Sequence, residues 1–223
     1  TAAAEVERAG GHALAARVDV RDEAQVAAAL DAAVARFGGI DILVNNASAI
    51  ALTGTLETPL KRFDLMHGVN TRGTFACTQA CLPALLKSRH PHVLTISPPL
   101  NLDPKWFAPH VAYSLAKYGM SLCVLGMAEE FRSRGIAVNA LWPRTTIDTA
   151  ALSLLGGATT AARSRHPAIM ADAAHAILTR DPASCSGHFF IDEEVLAAEG
   201  ITDVSRYRRP DIREEDLLPD FFL

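Results

Sequence analysis

The chain of 223 residues is short of several things that would each have named a function class. It has no CxxC pair, and its four cysteines, Cys77, Cys81, Cys123 and Cys185, do not fall at metal-ligand or redox-motif spacings. Cys77 and Cys81 sit one helical turn apart, the usual place for small buried side chains, so free core thiols are expected. The eight histidines are scattered apart from "HPH" at 90–92, short of the three or four ligands a structural metal requires, and no metal is expected. No block of lysine and arginine stands out of a net charge of -4, which excludes broad attraction to nucleic acid or anionic lipid. Polar residues break every apolar run before the roughly 18 to 20 residues of a membrane span, and no signal-peptide pattern opens the sequence. The expected setting is therefore cytoplasmic, with no nucleic-acid partner and no membrane span.

No internal repeat and no Pro/Ser linker divides the chain, and 49% hydrophobic content is enough for one sizeable core, so a single domain over 1–223 is expected. What is present is an alternation of short β-rich apolar runs with longer helical patterns, the signature of parallel βαβ units with helices on both faces of a sheet. "TAAAEVERAGG" predicts the end of a helix stopped by glycines, "HALAARVDV" a strand, and "RDEAQVAAALDAAVARFGG" a helix with acidic residues in its first turn. "IDILVNNAS" predicts a buried strand running into a turn. A long helical region follows over about 62–89, then the strand "HVLTIS", a helix over about 111–134, and the strand "IAVNALWP". A mobile-looking stretch "LSLLGGATTAARSRHP", a helix near "ADAAHAILTR" and the strand "GHFFID" complete the core. The apolar residues Leu217, Leu218, Phe221, Phe222 and Leu223 would form an exposed patch unless they dock on the body or on another subunit.

In an open parallel sheet, ligands gather beyond the carboxyl ends of the strands. The segments there are Asp19-Val20, "NNAS" at 45–48, Ser97-Pro98-Pro99 and "WPRTTIDT" at 142–149, with "VNTRGT" at 69–74 in the intervening helix. In "AYSLAKYG", Tyr113 and Lys117 are four residues apart, which brings both onto one helical face.

Together "DILVNNAS", "VNTRGT", "AYSLAKYGMS" and "AVNALWP", in this order across nearly all of the chain, resemble the short-chain dehydrogenase/reductase family. "TISPPLNLDP", "VLGMAEEF", "LWPRT" and "LLPDFF" resemble more narrowly its hydroxysteroid dehydrogenase-like group, some members of which carry a further sterol-carrier domain. The resemblance implies a doubly wound parallel sheet of Rossmann type and hydride transfer between NADP(H) or NAD(H) and a carbonyl or secondary alcohol. It places Tyr113 as proton donor or acceptor and Lys117 as the residue that binds the nicotinamide ribose and lowers the tyrosine's pKa. A phenol near pKa 10 is a poor base at neutral pH, and an ammonium one turn away would stabilise its phenolate. Asn70 corresponds to the asparagine that holds a water in the proton relay. Asp19, with Val20 behind it, corresponds to the adenine-binding aspartate. Asn45, Asn46 and Ala47 match the turn that lies along the dinucleotide. Pro143, Ile147 and Thr149 resemble the segment that contacts the nicotinamide carboxamide and pyrophosphate. The narrower resemblance favours NADP over NAD, and the family's habit implies a homodimer or homotetramer through the helices at 62–89 and 111–134.

The sequence departs from the family in two places. The family's glycine-rich phosphate loop, TGxxxGIG, does not occur, and the expectation is that a strand-helix-strand segment bearing it is missing before Thr1. The family's substrate-binding serine is matched by Pro98, which offers neither hydroxyl nor N–H, so Ser97, Asn101 or an ordered water would have to substitute. Two readings beside the oxidoreductase follow. Pro98 motivates a dinucleotide-binding sensor or interaction protein with weak or no catalysis, and the absent loop motivates a structural subunit without cofactor. Leu152, Leu154 and Leu155, in the place of the family's variable substrate lid, point to a lipid-like substrate.

Overall fold

The computed structural model describes residues 2–223, apart from the side chains of residues 153–156 and 158. Its frame is a parallel sheet of four strands in the order β1-β2-β3-β4: β1 (Ile42–Asn45), β2 (His92–Ile96), β3 (Ala137–Trp142) and β4 (Phe189–Ile191). Register runs Leu43 to Val93 to Val138 and Asn45 to Thr95 to Ala140, so that successive side chains feed two separate cores. Val93, Val138 and Ala140 face one helical layer, where α4 (Gly73–Leu85) and α5 (Val111–Glu130) contribute Cys81, Leu85, Val124 and Met127. Leu94 and Leu141 face the other, built on Ile169, Ala173 and Ile177 of α7 (Ala168–Leu178) and Val195 and Leu196 of α8 (Asp192–Ala198). This is the Rossmann-type arrangement expected from the alternation of strand and helix patterns.

Local chemistry sets the element ends. α1 (Ala2–Arg8) gives way to Gly10 at φ 88°. α2 (Glu23–Phe37) begins where the Asp22 carboxylate accepts the N–H groups of Ala24 and Gln25, and ends at Gly38, whose φ of 90° suits a residue without a Cβ. The predicted helix at 62–89 is two: α3 (Leu60–His67) and α4, joined through a π-helical turn, Gly68–Arg72, that carries Asn70. α5 is long and apolar enough to cross a membrane by composition, yet 61% of its apolar window is buried inside the protein. It is the central core helix.

Three expectations are corrected. Residues 12–20 form no strand, because a strand exists through its ladder and nothing among the described residues pairs with them; Leu14 is exposed. β1 is consequently the open edge of the sheet rather than a buried strand, and Ile42 and Val44 are 41% and 46% exposed. The mobile-looking stretch 152–167 carries a helix that the sequence reading did not give it, α6 (Ala150–Ala162), capped by Thr149, whose Oγ1 accepts the Leu152 N–H, and interrupted at Gly157 (φ 69°). The docking expected of residues 217–223 is found on the body of the chain: Phe222 is fully buried, Leu217 is buried, and the others are half-buried except Pro219.

Candidate active site

At the carboxyl ends of the strands a third apolar cluster, containing Met66, Ala112, Tyr113, Ala116, Trp142 and Phe222, floors a cavity of about 710 Å³. Tyr113 and Lys117 both line it, one turn apart on α5, and each is only 4% exposed. α5 reaches this position through a close approach. A Cβ on Gly119 would lie 2.2 Å from Thr71 Oγ1, so only glycine lets α5 lie this near the π-helical turn. The Thr71 hydroxyl uses the proximity to donate to the Ala116 carbonyl at 3.1 Å. The π turn itself, a feature that recurs at functional sites, presents Asn70 inward.

Lys117 Nζ donates to the carbonyl of Ile96 at 2.9 Å and lies 5.0 Å from the centre of the Trp142 ring. Burial of the ammonium lowers its pKa to about 8, with the Asp220 charge opposing the shift. The Tyr113 hydroxyl makes no hydrogen bond to the protein and is left to the cavity. Burial raises the Tyr113 pKa well above that of a free phenol, and the charge of Asp220 raises it further. The expected lowering by Lys117 does not arise in this geometry, because the ammonium is turned to the strand end and desolvation of the phenolate is the larger effect.

The other sequence-derived residues divide between this cavity and its surroundings. Asn46, Pro143, Ile147 and Thr149 line it together with Ser48 and Leu152. Leu154 and Leu155 have side chains outside the described residues. Asn70 is fully buried but does not line the cavity. Its Oδ1 accepts the Ala49 N–H at 2.7 Å and its Nδ2 donates to the Ala49 carbonyl at 3.0 Å, pinning the segment after β1 to the π turn. Ser97 is fully buried, and its Oγ has no hydrogen-bond partner. Pro98, also buried, turns its carbonyl to the Ser121 hydroxyl at 2.7 Å. Neither Ser97 nor Pro98 reaches the cavity. Asn101 is engaged elsewhere: its carbonyl accepts from Tyr118 and its Oδ1 from the Asp103 N–H.

On the far side of β1, Val20, Asn45, Asn46 and Ala47 line a separate cleft of about 70 Å³, and Val20 packs against Gly73, where a Cβ would meet its Cγ2 at 2.9 Å. Asp19 is half exposed and accepts three side-chain hydrogen bonds from the Arg21 guanidinium, which hold its carboxyl down at about 2.

The sequence marks "LLPDFF" by a resemblance and by its apolar residues, and neither gives a role to the acid within it. Residues 217–223 form a strap across the mouth of the cavity, tied by Thr146 N–H to the Leu218 carbonyl (2.9 Å), Asp220 N–H to the Arg144 carbonyl (3.1 Å) and Trp142 Nε1–H to the Phe221 carbonyl (2.9 Å). Phe222, at φ 74°, inserts among the rings of Trp106, Tyr113, Tyr118 and Trp142. Leu218, Pro219, Asp220 and Phe221 become cavity wall. Arg165 escaped notice as well. It is fully buried, pairs with Glu193 and Glu214, and exchanges backbone bonds with Thr146 and Asp148, so it clamps the segment beneath the strap. An unusually buried charge has no sequence signal beyond its type.

A nicotinamide fits the chemistry of this cavity better than the adenine end of a dinucleotide fits the surface beyond it. Tyr113, Lys117 and the Thr146–Thr149 segment set proton-exchanging and hydrogen-bonding groups against the apolar Ile96 and Trp142. The carboxyl of Asp19, by contrast, is already taken by Arg21, and no phosphate-cradling glycine loop occurs among the described residues.

Known proteins share this architecture. The sequence model of the family described as short chain dehydrogenase matches residues 1–155. The hydroxysteroid dehydrogenase-like protein 2 of Danio rerio is 60% identical over 224 residues, 100% of this chain and 53% of that protein; the chain spans about half the length of the curated relatives it matches. A crystal structure from Xanthomonas campestris is 59% identical with a TM-score of 0.95, covering 100% of this chain and 80% of that one. A short chain dehydrogenase from Mycobacterium thermoresistibile is 51% identical with a TM-score of 0.91, over 100% of this chain and 79% of that one.

Proposed function

The chain belongs to the short-chain dehydrogenase family, and from that premise we propose that its 223 residues form one catalytic domain that interconverts a carbonyl and a secondary alcohol at the expense of NAD(P), NADP being the preferred form. The observation that carries this reading is the pair Tyr113 and Lys117 on one cavity wall, with the phenol hydroxyl hydrogen-bonded to no protein atom. Bound NAD(P) supplies or accepts the hydride. Tyr113 gives its hydroxyl proton to the carbonyl oxygen in reduction and takes it back in oxidation. Burial keeps the phenol in its protonated form, the form that the reduction direction starts from. Lys117, anchored on Ile96 and the Trp142 ring, offers its remaining N–H groups to the ribose and restores the proton to Tyr113. Asn70 acts at one remove, by fixing Ala49 and the cavity wall beside Ile50. Pro143, Ile147 and Thr149 border the nicotinamide, and Asn46 and Ala47 the dinucleotide; Asp19 and Val20 serve the adenine end once Arg21 releases the carboxylate.

The apolar lining, Ile50, Leu52, Ile96, Leu152 and Met170, suits a lipid-like carbonyl. Self-association is supported by the outer faces of α4 and α5, where Phe75, Leu115, Leu122 and Leu125 stand 44% to 57% exposed, and a homodimer or homotetramer is the assembly we infer. The four free thiols suit a reducing compartment such as the cytoplasm. The buried, unpartnered Ser97 hydroxyl favours one second reading, a dinucleotide-binding protein with little turnover. Tyr113→Phe decides between them. In the full-length protein, assayed across a panel of aldehydes and ketones with NADPH, it is expected to lower kcat by roughly a hundred- to ten-thousandfold while leaving dinucleotide affinity within a fewfold of wild type. Unchanged turnover removes Tyr113 from the mechanism, and an inactive wild type that binds NADPH establishes the second reading.

A further inference from the structure

The serine position that should face the reacting oxygen is empty of function. Ser97 Oγ is sealed inside the protein and Pro98 contributes only a carbonyl already bound to Ser121. An apolar cavity still needs a polar group to orient a carbonyl, since a ligand oxygen buried without a partner loses its hydrogen bonds to water. The strap carries one. Asp220 lies on the cavity wall with Tyr113 and Lys117. Its backbone is fixed by the bond to the Arg144 carbonyl and by its neighbours, Pro219 bridged to Thr145 and Phe221 held by Trp142 Nε1. Its Oδ1 accepts the Phe221 N–H at 2.6 Å, and Oδ2 has no partner in the protein. No ion pair to Lys117 closes, because that ammonium is turned to Ile96.

We propose that Asp220 is the substrate-facing polar group of this site: its carboxyl, in the protonated state, donates a hydrogen bond from Oδ2 to the carbonyl oxygen that Tyr113 also approaches, in place of the missing serine. This rests on the carbonyl-reductase reading above. No bond is made or broken at Asp220; the proton it carries is shared with the substrate oxygen and stays on the carboxyl.

The groups facing Asp220 set when it holds that proton. From α5 they are Lys117 and Tyr113, with His110 just ahead of that helix against the Phe221 and Phe222 rings. From the end of β4 comes Asp192, and from the end of β3 Arg144, whose guanidinium is drawn away to Glu193 and Glu194. Burial is the largest influence and lifts the carboxyl to about 6; the Phe221 N–H and Lys117 oppose it, and Asp192 adds to it. The donor is therefore present below about pH 6 and is replaced above it by a carboxylate that repels a carbonyl oxygen.

N,N-Dimethyldecanamide is a suitable probe, since it offers a carbonyl on an apolar chain, has no N–H to give to a carboxylate and resists reduction, and Trp142 fluorescence reports on the cavity it enters. Binding to the full-length protein, saturated with NADP, is expected to weaken about tenfold from pH 5 to pH 7.5, the worth of one hydrogen bond. In Asp220→Asn the amide keeps the bond to Phe221 and donates at every pH, so binding should persist and its pH dependence vanish. In Asp220→Leu binding should be weak throughout. No binding of this tertiary amide to wild type at any pH, or the same pH profile in all three proteins, overturns the proposal. Decanal turnover in Tyr113→Phe separates the two readings: turnover that survives there sinks the reductase mechanism, whereas loss there alongside unaltered pH profiles in both Asp220 variants sinks only the role of Asp220. Asp220→Asn, close in size to the native residue, keeps the test valid if Asp220→Leu fails to fold.

Discussion

The two sides of the sheet's carboxyl end are built differently. On the α5 side every group that bears on Tyr113 is packed and mutually constrained: Gly119 against Thr71, Lys117 on Ile96, Phe222 among four rings. On the β1 side the residues that would meet the adenine end stand in the open, with residues 12–20 unpaired, Ile42 and Val44 exposed and Asp19 occupied only by Arg21. The α5 wall of the cavity is held by tertiary packing, while on the β1 side the described residues present an exposed edge. Preorganisation of the first costs stability through buried charges, and those costs are measurable.

The contrast can be tested by perturbing each side. Phe222→Ala should have the largest effect on folding, about 3–5 kcal/mol by chemical denaturation, because a fully buried ring leaves a cavity among aromatic neighbours. It should also detach the strap and raise KM for carbonyl substrates. Gly119→Val comes next. Its Cβ would overlap the Thr71 side chain, so α5 must withdraw from the π turn at a cost of about 1–3 kcal/mol, and Thr71→Ala should recover part of the loss in a double-mutant cycle.

Asp192→Asn probes the electrostatic cost. Asp192 is fully buried, its Oδ1 accepts the N–H groups of Arg144 and Glu193, and its Oδ2 has no partner. Burial lifts its pKa from 3.8 to about 6 in the folded state, so the stability it contributes is complete below the unfolded value and is lost as pH rises through about 6. Asparagine accepts the same two bonds without the charge. The variant should therefore gain on wild type between pH 4 and pH 7 in urea melts; a parallel pair of pH profiles would show that Asp192 stays charged. The smallest effect is expected on the open side. Asp19→Asn breaks an exposed pair with Arg21 and should leave the melting temperature unchanged, and a clear drop would mean that the β1 side is better ordered than its exposure implies.

Much of this was legible in the sequence, and the failures share a cause. Strands such as "HVLTIS" and helices such as "RDEAQVAAALDAAVARFGG" announce themselves through local periodicity and caps, and they appear within a few residues of expectation. The pair Tyr113 and Lys117 was readable because a motif spacing is also a helical spacing. What could not be read depends on partners distant in the chain. "HALAARVDV" has a strand's composition, but a strand needs a neighbour. Ser97 stood at the right place after β2, yet its hydroxyl is sealed in the interior, a burial that no local pattern announces. Lys117 was expected to lower the phenol's pKa, and the strand-end carbonyl that holds its ammonium lies 21 residues upstream. Asp220 was hidden for the same reason: a carboxylate in an apolar tail looks like a solubilising charge until the tail is folded back onto α5.

The strap also bears on the order in which the molecule is made. Trp142 and Phe221, which bond to one another at the cavity wall, are 79 residues apart in sequence, so the contact belongs to the slow, non-local class that follows formation of the sheet. A ribosome must deliver residue 222 before Tyr113 acquires its full aromatic surroundings, and until then the α5 wall is exposed to solvent and to chaperones. In the finished protein the same segment is the natural unit of local opening, able to lift on its few backbone bonds while β2 and β3 stay paired, and amide exchange at Thr146 and Asp220 should outpace exchange at Val93 and Val138.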